Sequence, residues 1–308
     1  MSSEGEELYK KYRPQTFGDV VGQTEVINIL TEMGKAGKIP HFLLFTGPSG
    51  CGKTTIARIL RKKLKCSDGD FVEINAAESR GIDTVRDIKS TMSLAPMGGK
   101  CRVWLMDEVS ALTGDAQTAL LKMLEDTPPH VYFMFATTHP EKLKQAIKTR
   151  ATIIKCKEIS REELAALVVK VVQKEGLPPL TDDVVKKISY VAEGSARKAL
   201  VLLDSIIRIT DAAQQMEAIE ANDVKGQAIQ ICKALLNKST SWNQMSQILQ
   251  SVDEDPESIR WLVLAYMTTV LIKSDNARAD LIIGEFRDNW YDCKKAGLVS
   301  CCYHVIKG

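Results

Sequence analysis

GPSGCGKT, residues 47–54, satisfies GxxxxGK[ST] between an apolar run, HFLLFT (41–46), and a helical run, TIARILRKKL (55–64). In that context Gly47, Gly50 and Gly52 let successive backbone N–H groups turn toward phosphate oxygens, and the helix N-terminus adds partial positive charge. Lys53 is positioned to reach the β- and γ-phosphates of a nucleotide and the Thr54 hydroxyl to ligate Mg²⁺, while Pro48, Ser49, Cys51 and Thr55 complete the cradle.

Further along, VWLMDE (103–108) is an apolar strand ending in two adjacent carboxylates, which a buried strand does not tolerate without a reason. Asp107 is expected to hold Mg²⁺ through its water shell and Glu108 to polarise an attacking water. The next run, YFMFATT, ends in Thr137 and Thr138, hydroxyls that an adjacent strand brings toward the same water. Together with FVEINA near residue 71 and ATIIKC near 151, these runs alternate with helical patterns and predict a mostly parallel sheet with crossover helices. Open sheets of that kind bind ligands at the carboxyl ends of their strands.

After about residue 158 the strand signals stop. SREE (160–163) reads as a capping box opening a helix that Gly176, Pro178 and Pro179 end. A second helix runs from about Thr181 to Gly194, and SARKALVLLDSIIRI forms a third. A polar stretch with little periodicity, 210–215, precedes IEANDV, and the rest reads helical, which places a last boundary near residue 214.

The chain has 308 residues, 44% of them hydrophobic, enough for two or three cores. Its 41 Lys and Arg nearly cancel 39 Asp and Glu, so any nucleic-acid contact must come from a local patch. The eight cysteines form no CxxC pair, which argues against a structural zinc site. With neither a signal-peptide pattern nor an apolar run of membrane-spanning length, the expectation is a cytoplasmic chain without a membrane partner.

Five segments in order resemble the AAA+ clamp-loader ATPases, the bacterial gamma/tau subunit and the replication factor C small subunits: KYRPQTFGDVVGQ (11–23), GPSGCGKT, DEVSALTGDAQTALLKMLEDTP (107–128), FATTHPEKL (135–143) and EGSARKAL (193–200). The likeness covers roughly residues 8–210; the last hundred residues match only in length and helical character. It implies an α/β AAA+ P-loop domain with a parallel sheet (1–158), a three-helix lid (159–213) and an all-α C-terminal collar domain for oligomerisation (214–308). It also implies ATP and Mg²⁺ as cofactors, and as partners the other loader subunits of a pentamer, a sliding clamp and primer–template DNA.

Residue roles follow from the same resemblance. Lys11, Tyr12, Arg13, Pro14, Val20 and Val21 would flank the adenine. Thr138 would be the first sensor, and Arg197 the second, reaching the γ-phosphate from the lid. Arg150, in KTRA where the family carries Ser-Arg-Cys, would complete a neighbouring subunit's site in trans. Thr149 and Ala151 depart from that motif, so the finger's position is kept while its local packing changes. Arg80, Arg86 and Lys89 would track DNA phosphates, a solvated helix face being the alternative. The four-cysteine zinc module of the bacterial subunit and the extension of tau have no counterpart, so the plan looks closer to replication factor C or viral loaders. Competing readings are another AAA+ DNA motor for branch migration or recombination, a non-hydrolysing scaffold subunit, and a small-molecule kinase.

Overall fold

The apolar runs of the first half become five strands, β1 (Phe42–Thr46), β2 (Phe71–Asn75), β3 (Arg102–Asp107), β4 (Val131–Thr137) and β5 (Thr152–Lys155). All pair in parallel, in the order β2-β3-β4-β1-β5, with Leu44 opposite Phe135 and Trp104 opposite Phe133. The helices of this half are α1 (Leu8–Lys11), α2 (Thr24–Lys35), α3 (Lys53–Lys63), α4 (Ile82–Met92), α5 (Gly114–Glu125) and α6 (Gln145–Arg150).

Strand pleating sends successive side chains to opposite faces, and this divides the core in two. Leu43, Phe45, Val103, Leu105, Met134 and Ala136 pack with Leu30 of α2 and Ile56 and Leu60 of α3. Their neighbours Leu44, Trp104, Met106, Phe133 and Phe135 pack with Val85 and Ile88 of α4 and Leu120 of α5. Each buried Val, Leu, Ile, Phe or Met among them contributes about 1.5–3 kcal/mol, which is why these strands read as continuous apolar runs.

Three further helices follow, α7 (Arg161–Lys174), α8 (Asp182–Val191) and α9 (Ala196–Ile206). The capping box at the start of α7 forms, with Glu163 N–H donating to Ser160 Oγ (3.2 Å) and Ser160 N–H to Glu163 Oε2 (3.1 Å). At α8 and α9 the cap is one-sided, the hydroxyls of Thr181 and Ser195 accepting from Val184 N–H and Lys198 N–H, each cap contributing about 1 kcal/mol. Gly176 and Gly194 lie at φ of +68° and +78°, the left-handed geometry that ends a helix.

The computed structural model describes residues 6–221, 224–250, 252 and 255–307, which divide into two compact units, one up to Ile207 and one from Arg208 on. The second unit holds α10 (Ala212–Ala221), α11 (Val224–Leu236), α12 (Trp242–Gln250), α13 (Pro256–Lys273), α14 (Ala277–Glu285) and α15 (Lys295–Lys307). Most of the polar stretch 210–215 is helical, because Asp211 starts α10 by accepting from Gln214 N–H (3.0 Å), and the expected boundary at 213/214 falls inside that helix. Of IEANDV, Asn222 and Asp223 lie outside the described residues. Phe286, Trp290 and Met267 centre the second core, beside a buried pair in which Arg260 donates to Glu257 and to the carbonyls of Phe286 and Arg287.

Candidate active site

Three strand ends and two helix starts meet at one place in the first unit. The turn after β1 carries Gly47, Gly50 and Gly52 at φ of +144°, +73° and +105°, conformations that L side chains rarely adopt. It delivers Lys53 as the first residue of α3, buried at 6% exposure, with Nζ donating to Gly47 O (2.9 Å) and Pro48 O (2.8 Å). Among the described residues no carboxylate pairs with this ammonium. A buried cation held only by neutral carbonyls suits an anionic ligand.

At the end of β3, Thr54 Oγ1 donates to Asp107 Oδ2 (2.7 Å) and Glu108 N–H to Asp107 Oδ1 (3.0 Å). Because β4 lies beside β3, Thr138 just past its end reaches the same spot, its hydroxyl donating to Glu108 Oε2 (3.2 Å). Glu108 sits at φ +49°, ψ +42°, a left-handed conformation unusual for a side-chain-bearing residue and typical of functional turns. Thr54 and Asp107 offer hard oxygen donors few enough to suit Mg²⁺, which keeps most of its waters.

A cleft of roughly 1080 Å³, counting its open mouth, runs from this spot between the strand ends and α7 and α9. Tyr12, Arg13, Pro14, Val20, Val21, residues 49–55, Asp107, Glu108 and Arg197 all line it. The start of α9 meets the turn directly, as Ala196 N–H donates to Gly50 O (3.2 Å). A side chain at Gly50 would have to displace Ser195, since an added Cβ would stand 2.0 Å from Ser195 Oγ. The Arg197 guanidinium lies 5.7 Å from the centre of the Tyr9 ring, within cation–π range. The hydrogen bond to Cys156, and then the Lys53 charge, hold the Cys51 thiol below the usual thiol range.

Other expected residues stand elsewhere. Lys11 is outside the cleft lining and pairs with Glu175 (2.6 Å), which also accepts from the Tyr12 hydroxyl (2.5 Å). Burial and that bond push the Tyr12 phenol up to about 12, while Lys11 and Tyr12 hold Glu175 below the usual carboxylate range. Arg150 ends α6 on the surface, away from the cleft, paired with Glu125. Arg80 is exposed just before α4, Arg86 pairs with Asp83 (2.8 Å), and Lys89 with Asp126 (3.2 Å).

Tyr9, Asp19, Arg58, Ile159, Leu167 and Leu200 also line the cleft and escaped sequence reading. Arg58 had a signal, standing one helical turn after Thr54; Leu167 and Leu200 had none, because a cleft-lining position on a helix has the same period as a core position.

Among the described residues no helix is long and apolar enough to cross a membrane, and no group of three or more His, Cys, Asp or Glu forms a metal cluster. Residues 43–159 match the family described as "ATPase family associated with various cellular activities (AAA)". The chain is 35% identical to DNA polymerase III subunit gamma/tau of Mycobacterium tuberculosis over 224 residues, 65% of this chain and 38% of that protein. It is 35% identical to the tau subunit of Escherichia coli over 70% of this chain and 36% of the relative, and 32% identical to that of Bacillus subtilis over 80% and 47%. The chain thus spans less than half the length of these relatives. Among solved structures, the Thermotoga maritima RuvB Holliday junction branch migration motor superposes with a TM-score of 0.59 at 19% identity, covering 73% of this chain and 80% of RuvB, a likeness of fold.

Proposed function

Because the chain carries a domain of the AAA ATPase family and is a relative of the gamma and tau subunits of bacterial DNA polymerase III, we propose that it is an ATP-hydrolysing motor subunit of a sliding-clamp loader. In this reading it opens the clamp and places it on primer–template DNA. The observation that carries the hydrolytic part is the unbroken run of hydrogen bonds from Thr54 through Asp107 and Glu108 to Thr138 beside the buried Lys53.

In the proposed mechanism the Gly47–Gly52 turn and Lys53 hold the phosphates, and Tyr12 to Pro14 with Val20 and Val21 border the base. Thr54 and Asp107 are the residues that would hold Mg²⁺, which would supply positive charge to offset the charge developing on the phosphates. Glu108 takes the proton of the attacking water, and Thr138 fixes the orientation of that carboxylate. Arg197 brings the lid to the γ-phosphate. Arg150, remote from its own cleft, serves a neighbouring subunit, and an arginine so placed contributes roughly 10³–10⁵ in rate. Residues 159–213 act as the lid, 214–308 as the collar through which subunits assemble, and Arg80, Arg86 and Lys89 as phosphate contacts. The setting is cytoplasmic.

A branch-migration or recombination ATPase would share the fold and the Asp107–Glu108 pair. Identity of 32–35% over 65–80% of the chain favours the loader over a likeness of fold at 19%. The test is ATP turnover by the purified chain with its partner subunits, with and without clamp and primed DNA. Joint stimulation supports the loader; turnover indifferent to the clamp refutes it. Lys53→Ala should lose nucleotide binding, and Glu108→Gln should keep affinity and lose turnover.

A further inference from the structure

A second cleft opens on the outer side of α3, between this helix, α1 and the start of β2. Lys10, Arg13, Arg58, Arg61 and Lys62 line it with Phe71, and Glu6 is the carboxylate in its wall. It adjoins the nucleotide cleft, sharing Arg13, Pro14, Thr55 and Arg58 with it. The clamp-loader reading leaves most of these charges without a task.

Three of the cations have carboxylate partners: Arg58 donates twice to Glu73 (2.9 and 2.5 Å), Arg61 pairs with Asp68 (2.5 Å) and Lys10 with Glu7 (2.5 Å). The Asp68 and Glu7 side chains are 93% and 52% exposed, so water screens those pairs and they neutralise little. Lys62 Nζ donates to the neutral amide oxygen of Gln15 (2.7 Å), and among the described residues Arg13 has no carboxylate partner. Arg61 is the key group. Its side chain is 13% exposed, its guanidinium lies 4.5 Å from the centre of the Phe71 ring, and its Nε is buried with no hydrogen-bond partner. The rest of the guanidinium faces only the exposed Asp68, so a concave basic wall with little neutralisation is a feature a site for anions explains.

Spacing narrows the ligand. Arg58, Arg61 and Lys62 stand at i, i+3 and i+4 on one face of α3, spread over about 6 Å of helix axis, which suits adjacent phosphates better than a single carboxylate. Guanidinium forks match phosphate oxygens two at a time. We propose that this cleft is a second anion-binding site, separate from the P-loop cradle, which takes the phosphate groups of a ligand. The phosphates come either from a free oligophosphate compound or from the backbone of single-stranded nucleic acid. The proposal is independent of whether the chain loads clamps.

The experiment uses the full chain carrying Lys53→Ala, so that the P-loop lysine does not contribute. Inorganic tripolyphosphate is titrated calorimetrically, and a fluorescein-labelled oligothymidylate of about ten nucleotides is followed by anisotropy. Arg61→Gln/Lys62→Gln added to that background should weaken binding at least about tenfold, the loss expected from removing charge-assisted contacts. In the oligonucleotide arm it should also flatten the salt dependence by about 1.4 in log–log slope, two phosphates at ~0.7 each. Tripolyphosphate binding that is lost in this way supports the site with a free phosphate compound as ligand; oligonucleotide binding alone supports it with nucleic acid. Lys10→Gln/Lys62→Gln, at two exposed positions, repeats the test without touching the Arg61–Phe71 stack. If neither probe binds, or binding is indifferent to both double substitutions, the proposal is wrong.

Discussion

Replacing Gly50 by alanine probes how the P-loop and α9 are joined. The residue lies at φ +73°, where a side chain costs about 1–2 kcal/mol. The new Cβ would stand 2.0 Å from Ser195 Oγ and 3.1 Å from Ser195 Cβ, so the serine must turn away. That oxygen accepts from Lys198 N–H (3.1 Å) as the cap of α9, and losing the cap costs about 1 kcal/mol. The sum, about 2–3 kcal/mol, falls on the docking of α9 against the turn, and should lower affinity for a fluorescent ATP analogue by about 30- to 150-fold. Ser195→Gly alone should cost only a few tenths of a kcal/mol, since glycine is tolerated at this position. Combined with Gly50→Ala it should recover part of the loss, because the contact is gone while the backbone strain remains. Gly50→Ala affinity within twofold of wild type, or strictly additive losses in the double variant, would show that Ser195 does not couple the turn to α9.

Arg150→Ala should leave ATP affinity of the isolated chain unchanged and collapse DNA-stimulated turnover of the assembly; partial rescue on mixing with Lys53→Ala chains would show that the arginine acts in trans, and a defect indifferent to assembly would show that it does not. Arg80→Ala/Arg86→Ala should flatten the salt dependence of DNA binding by the assembly, and an unchanged slope would place the DNA track elsewhere. Asp70 gives a pH prediction. Its carboxylate accepts from the Ser67 hydroxyl and the N–H groups of Met97, Gly98 and Gly99, bonds that hold its pKa far below the usual range. The stabilisation is therefore present above about pH 4 and is lost as the pH falls further through the folded-state value. Thermal melts should show Asp70→Asn less stable than wild type at neutral pH, with a shallower acid decline; parallel pH profiles would contradict this.

What could be read in advance was whatever is local in the chain. The turn after β1 announces itself because its glycines, lysine and threonine are consecutive, and the Asp107–Glu108 pair because two carboxylates end an apolar run. Ser160 and Glu163 are three residues apart and cap as their spacing says. Contacts made across the fold left no such mark. Glu175 receives Tyr12 from 163 residues away, and nothing near Lys11 in the chain announces that its ammonium pairs with the same carboxylate. The start of α10 was hidden because DAAQQ carries no apolar stripe, its cap being a single aspartate. The basic cleft was hidden too: Arg58, Arg61 and Lys62 have the spacing of any charged helix face, and Phe71, which β2 brings beneath Arg61, is distant from them in the chain.

The strand order leaves β2 and β5 as the two edges of the sheet, each with a row of backbone groups open to pairing with another chain. Both edges are short. Glu73 sits at the middle of β2, bridged to Arg58, and Lys155 ends the four-residue β5 with its side chain exposed. A foreign strand that docked on either edge would have to bury or displace a charge over only four or five residues of ladder. The same apolar strands that make a continuous core are thereby kept from templating aggregates, a safeguard that matters most while the chain is being synthesised and its sheet is incomplete.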